Sequence, residues 1–135
     1  MKLLLDTHAL LWWQAKSKKL SRRAASEIKR ADAILVSAVT CWEVATLLSR
    51  GRLTLDRSIE QWLDDMEAEP RIELVPLHPR AAVRARELHE AGFHDDPGDR
   101  LIYATAVEHM VPLVSADDRI SEFAAARQPS VRVIW

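Results

Sequence analysis

Asp6, Glu43, Asp99 and Asp117 are the residues of this 135-residue chain whose types and spacing point to chemistry. Asp6 follows Leu3-Leu4-Leu5 and Asp117 follows Leu113-Val114-Ser115, so each leaves the end of a short apolar run. Glu43 is placed in the first turn of a helix, and Asp99 opens another after Asp96-Pro97-Gly98. Four carboxylates gathered in one place do not all stay ionised unaided. Two like charges about 4 Å apart repel by about 4 kcal/mol at an effective dielectric of 20. Such a cluster takes up protons, spreads apart or holds a cation. Mg²⁺ or Mn²⁺, a hard ion that prefers oxygen ligands, answers the repulsion directly. A cation of this kind polarises a phosphoryl oxygen and activates a water, which makes metal-dependent phosphodiester hydrolysis the chemistry of the set.

Each acid also has an ordinary structural explanation. Thr40-x-x-Glu43 matches a capping box, and Asp96-Pro97-Gly98-Asp99 is a good helix start with a cap, a proline and an acid at the positive dipole end. Asp117 suits the cap of the next helix, and Asp6 suits an Asx turn at a strand end. What favours function is that all four fall on one rim of the predicted sheet.

The elements behind that statement alternate along the chain. Short, mostly branched apolar runs at 2–5, 34–36, 72–75, 112–114 and 131–134 read as strands. Longer runs at 9–14, 21–31, 40–50, 59–67, 79–91, 99–109 and 118–126 read as helices, with Pro79 at a first helical position and Gly51 and Gly92 just past helix ends. Five strands separated by helices imply right-handed crossovers and a central five-stranded parallel sheet covered on both faces, a three-layer α/β/α fold. Ligands of such sheets bind beyond the carboxyl ends of the strands. The length is that of one domain, 1–135.

Composition narrows the classes. With 48% hydrophobic and 29% charged residues the chain has the balance of a globular protein. Cys41 is the single cysteine, which excludes an internal disulfide and suits a reducing cytoplasm. The apolar run after Lys2 is broken by Asp6 and His8, so neither a signal peptide nor a membrane span is expected. No lysine follows Lys29 and the three glycines are scattered, so a P-loop is excluded; no G-x-S-x-G elbow is present. His89-Glu90-Ala91-Gly92-Phe93-His94 has one residue too many for a zinc H-E-x-x-H helix. The net charge of −1 does not oppose a polyanionic substrate, because the nineteen basic residues outnumber the acids left once the four are set aside. Seven basic residues face one acid between Gln14 and Arg30, either a solvated helix face or a phosphate-contacting patch.

The motifs match a family. Leu4-Leu5-Asp6-Thr7-His8-Ala9-Leu10-Leu11-Trp12-Trp13, Val36-Ser37-Ala38-Val39-Thr40-Cys41-Trp42-Glu43-Val44-Ala45, Asp96-Pro97-Gly98-Asp99-Arg100-Leu101-Ile102 and Leu113-Val114-Ser115-Ala116-Asp117 resemble, in order, the motifs of PIN-domain proteins. Val131-Arg132-Val133-Ile134-Trp135 resembles their last strand, so the likeness covers essentially the whole chain. Its compactness resembles the VapC toxins of type II toxin–antitoxin systems. The resemblance implies strand order 3-2-1-4-5 and a Mg²⁺- or Mn²⁺-dependent endoribonuclease site. Carried over by motif, Asp6 and Asp99 are the principal metal ligands, Glu43 and Asp117 complete the site, and Asp96 is an outer-shell partner. It further implies a homodimer and a cognate antitoxin whose C-terminal segment lies near the acids. One departure is Gly98, where this subgroup often carries a bulky apolar residue; a glycine there is expected to loosen the helix start and widen the site.

Around the acids, Thr7, Ser37 and Ser115 orient carboxylates or waters, or serve simply as caps. Arg100 contacts phosphate or neutralises a neighbouring acid. His8 is expected to be a hydrogen-bonded structural histidine, and Trp12, Trp13 and Trp42 to pack in the core or an interface, with stacking on unpaired bases as the other use. A non-catalytic PIN-like RNA-binding protein and a nuclease acting on DNA are the competing functions. A receiver-type signalling domain is disfavoured by the missing acidic pair and late lysine.

Overall fold

The computed structural model describes residues 1–127 and 131–135. The chain runs β1 (Lys2–Leu5), α1 (Thr7–Gln14), α2 (Arg22–Arg30), β2 (Ala33–Ser37), α3 (Ala38–Ser49), α4 (Ile59–Ala68), β3 (Ile72–Val75), α5 (Pro79–Glu90), α6 (Pro97–His109), β4 (Leu113–Val114), α7 (Asp118–Ala125) and β5 (Val133–Ile134). All strand pairs are parallel, in the order β3-β2-β1-β4-β5. The α/β class, the five strands and the order implied by the resemblance are all found.

β1 explains why the sheet is central. Leu3, Leu4 and Leu5 are each completely buried, as a parallel strand covered on both faces requires. Because successive side chains point to opposite faces, Leu3 and Leu5 join Ile34 and Val36 under Leu10, Ile28, Trp62 and Met66. Leu4 instead joins Leu35 and Leu113 under Ile102, Tyr103 and Ile120. Trp62 is fixed within its layer by an indole N–H donated to Gln14 Oε1 at 2.9 Å.

β1 is also the switch point: the chain moves to β2 on one side and returns to β4 on the other. The crevice beyond β1 and β4 is where such a sheet binds ligands, and Asp6 and Asp117 leave those two strands.

Helix starts differ from expectation by two residues in three places, for one reason. The cap is the polar residue at or just after a strand end, or the acid before Pro97. Asp6 caps α1 through Ala9 N, Ser37 caps α3 through Val39 N, and Asp96 caps α6 through Asp99 N. β5 is shorter than the expected 131–134, although Arg132 O still accepts from Leu113 N at 2.9 Å. No helix among the described residues is long and apolar enough to cross a membrane.

Candidate active site

The five acids singled out by sequence line one cavity of about 570 Å³: Asp6, Glu43, Asp96, Asp99 and Asp117. Asp6 is 8% exposed, and its Oδ1 accepts from Ala9 N at 2.9 Å. Burial pushes its carboxyl up to about 6, against the pull of the Ser115 hydroxyl and the Ala9 amide.

Glu43 corrects the sequence reading. Since Ser37 takes the cap of α3, no Thr40–Glu43 capping box forms, and Glu43 lies in the second turn rather than the first. Its Oε1 accepts from Thr7 Oγ1 at 2.6 Å, and Thr7 Oγ1 lies 3.2 Å from the buried Thr40 Oγ1. Thr7 therefore orients an acid instead of only starting a helix. Burial raises the Glu43 carboxyl, with the charges of Asp99, Asp96 and Asp6 acting the same way.

Gly98 corrects a second expectation. A Cβ built there would stand 2.6 Å from Glu43 Oε2, 2.9 Å from its Cδ and 3.2 Å from Asp96 Oδ1. The missing side chain does not widen the site; the Glu43 carboxylate fills the space against the first turn of α6.

Asp99 is held by a residue that sequence reasoning passed over. His94 Nε2 lies 2.7 Å from Asp99 Oδ2, and its ring stacks on Phe93 at 4.5 Å between centroids. When Asp99 is ionised its carboxylate can only accept, and the Nε2 N–H then donates to it. Burial raises the Asp99 carboxyl, and this hydrogen bond works against the rise. Asp117 behaves oppositely. Arg119 binds it in fork fashion, Nη2 to Oδ2 at 2.8 Å and Nε to Oδ1 at 3.1 Å, and holds its carboxyl below the usual range. Arg119 was also missed, although its offset of two from Asp117 was a signal. For His94 the signal was its offset of five from Asp99.

The tightest ligand-capable trio among the described residues is His94, Asp99 and Asp117, whose donor atoms all lie within 4.8 Å of one another. Asp6 and Glu43 face the same cavity but stand outside that trio. Three acids with raised carboxyls, Asp6 buried and Glu43 and Asp99 half-buried, are the donor set a hard divalent ion fits.

The family model of the PIN domain matches residues 3–126. The chain belongs to the PIN-domain family. It resembles Ribonuclease VapC22 of Mycobacterium tuberculosis, with 36% identity over 132 residues that cover 98% of this chain and 97% of that protein. The fold is that of VapBC2 from Rickettsia felis bound to a DNA fragment of its promoter, at TM-score 0.66 and 18% identity over 98% of this chain and 97% of that one. VapBC-1 from nontypeable Haemophilus influenzae gives TM-score 0.65 and 15% identity over 98% and 96% of the two chains. This PIN domain therefore sits in the VapC-type group.

Other expectations for this PIN domain resolve as follows. His8 is exposed and has no hydrogen bond among the described residues; its ring lies 5.6 Å from Trp12. Arg100 turns its guanidinium to the Ala85 and Asp95 carbonyls, each at 3.4 Å, rather than to the cavity. Ser37 is a cap, whereas the Ser115 hydroxyl bonds the Asp6 carboxyl and accepts from the backbone N–H of Asp117 at 3.2 Å. Trp12 and Trp13 are half-buried, but Trp42 is 63% exposed and lines the cavity, contrary to a core role. The seven basic residues between Gln14 and Arg30 are all exposed, and none lines this cavity.

Proposed function

We propose that this PIN domain is a divalent-metal-dependent endoribonuclease and the toxin of a type II toxin–antitoxin pair, acting in the cytoplasm. The observation that carries the reading is the convergence of Asp6, Glu43, Asp99 and Asp117 on one cavity at the sheet's switch point. The ribonuclease name of the 36%-identical VapC22 supports RNA as substrate, and the VapBC complexes among its structural relatives support a protein antitoxin. A homodimer and a single domain over 1–135 belong to the same proposal.

Asp6 and Asp99 would be the main ligands of Mg²⁺ or Mn²⁺, with Glu43 and Asp117 completing the set and Asp96 supporting from the helix cap. When bound, the ion supplies charge neutralisation at the phosphoryl oxygens and lowers the pKa of a water. The chain's own work is positional. Thr7 fixes one oxygen of Glu43, His94 fixes one oxygen of Asp99, and the caps of α1 and α7 fix Asp6 and Asp117. Arg119, 63% exposed in its side chain, is the guanidinium able to turn from Asp117 to a substrate phosphate. No Ser, Cys or Lys nucleophile is needed.

Because His94 donates to Asp99 through Nε2, it acts as a positioning residue. Partners that orient a ligand in this way are worth about 10–100-fold in metal affinity. His94→Ala is expected to weaken Mn²⁺ binding by at least about tenfold, read by calorimetry. Unchanged affinity would reduce the hydrogen bond to a loop tie.

The function is tested by incubating antitoxin-free protein with total RNA and with single-stranded DNA, in Mg²⁺, Mn²⁺ and EDTA. Cleavage of RNA that EDTA abolishes is the expected result. Cleavage of DNA alone would move the chemistry to the other polymer, and no metal-dependent cleavage of either would overturn the reading.

A further inference from the structure

Trp42 is the residue of this site with no structural task. Trp62, Trp13 and Trp12 are buried or half-buried, and Trp12 is engaged by His8 and Trp135 at 5.6 Å and by Lys19 Nζ at 5.9 Å. Trp42 is 63% exposed, has no aromatic partner among the described residues, and directly precedes Glu43. Leaving so large an apolar ring in water is unfavourable unless something covers it in use.

Its helix face says what that is. Trp42, Glu43, Thr46, Leu47 and Arg50 all line the acidic cavity, which is the one-face spacing of an α-helix. Eight residues of helix separate Trp42 from Arg50 by about 12 Å at 1.5 Å per residue. Arg50 is exposed and forms no ion pair among the described residues. The wall thus presents a free π-face beside the acids and a free cation one stretch further along. Aromatic faces for bases combined with cations for the backbone are how single strands are held without sequence reading.

We propose that the cavity-lining face of α3 is a single-strand track, on which Trp42 stacks an unpaired base next to the scissile phosphate and Arg50 contacts a phosphate further along. This deepens the ribonuclease reading and rests on it. The occupant is single-stranded nucleic acid rather than a second copy of the chain. The wall sets the exposed rings of Trp42 and His8 and the cation of Arg50 beside the acids, a mixture of π-face and charge that suits a sugar–phosphate strand, whereas the core of a protein interface is depleted of charged residues.

The test is equilibrium binding by fluorescence anisotropy with Ca²⁺ in place of Mg²⁺. The probes are a 12-nucleotide oligoadenylate RNA and an abasic sugar–phosphate oligomer of equal length. Wild type is expected to prefer the oligoadenylate by about tenfold or more, the worth of one stacked base. In Trp42→Ala that preference falls below about threefold while abasic binding is unchanged, and Trp42→Phe keeps most of it. Arg50→Ala is expected to weaken both oligomers equally. Light scattering of the same variants reads their oligomeric state, and melting curves read folding.

A base preference undiminished in Trp42→Ala would overturn the track. So would a variant whose only change is a lower oligomeric mass, since Trp42 would then be a protein contact. If wild type cuts RNA yet shows no base preference, this inference alone falls. If it neither cuts RNA nor binds either oligomer, the ribonuclease reading falls with it.

Discussion

Asp6→Asn is expected to abolish RNA cleavage and, at pH 7.5, to raise the melting temperature of the metal-free protein. Folding carries Asp6 from an ordinary 3.8 to about 6, with desolvation as the main cause. A raised folded pKa means that the native state binds the proton more tightly than the unfolded chain. The stability it gives is complete below about pH 4 and is lost as pH rises through about 6. At neutral pH the ionised carboxylate therefore costs about 3 kcal/mol relative to its protonated form, at 1.36 kcal/mol per pKa unit. Glu43 and Asp99 have the same sign, raised by burial, while Asp117 has the opposite sign because Arg119 pairs with it. Asparagine carries no charge and caps a helix about as well as aspartate, so the Ala9 amide keeps its partner.

The same substitution removes a principal ligand. Added Mg²⁺ should stabilise wild type by mass action and leave the variant unmoved. Thermal melts at pH 5 and 7.5, with and without Mg²⁺, separate the effects. The expected pattern is a wild type that melts lower at pH 7.5 than at pH 5 without metal, a difference that narrows in the variant by the share of Asp6 while Glu43 and Asp99 keep theirs. A variant that melts below wild type at both pH values would mean that Asp6 is a structural acid, stabilising where it stands.

Gly98→Ala is expected to reduce cleavage by about 10–100-fold with little change in stability. The added Cβ meets Glu43 Oε2 at 2.6 Å and Cδ at 2.9 Å. These atoms end a flexible side chain, so the clash is relieved by moving the carboxylate rather than by straining backbone. Moving it breaks the 2.6 Å hydrogen bond from Thr7. Misplacing a reacting group by about 1 Å can cost about 10²-fold in rate. Alanine meanwhile favours the helix by up to about 1 kcal/mol over glycine, so folding does not suffer. Steady-state cleavage and a melting curve of the same preparation check both halves. Undiminished cleavage would remove Glu43 from the machinery.

These two cases show where the sequence was legible. The strands announced themselves because β1 and β2 are buried on both faces and therefore read as unbroken apolar runs, and their carboxyl ends led directly to Asp6 and Asp117. Helix starts were harder, since two polar residues near a strand end compete for the cap. At α3 Ser37 won, which left Thr40 buried inside the helix and freed Glu43 to point at Thr7. No local rule decides that competition. Gly98 was misread because its neighbour is Glu43, 55 positions earlier. His94 escaped for a similar reason. Its role depends on how the loop between α5 and α6 folds back, with Phe93 buried beneath its ring. For Trp42 residue type favours a core or interface over stacking on bases, and only the fold sets it beside the acids in the open.

The central claim is that these acids form a divalent-metal site, and a calorimetric titration of Mn²⁺ into metal-free protein tests it most directly. Wild type is expected to bind saturably, and Asp99→Asn to lose that binding while remaining folded by circular dichroism. Equal binding by the two proteins, or none by wild type at millimolar Mn²⁺, would contradict the account.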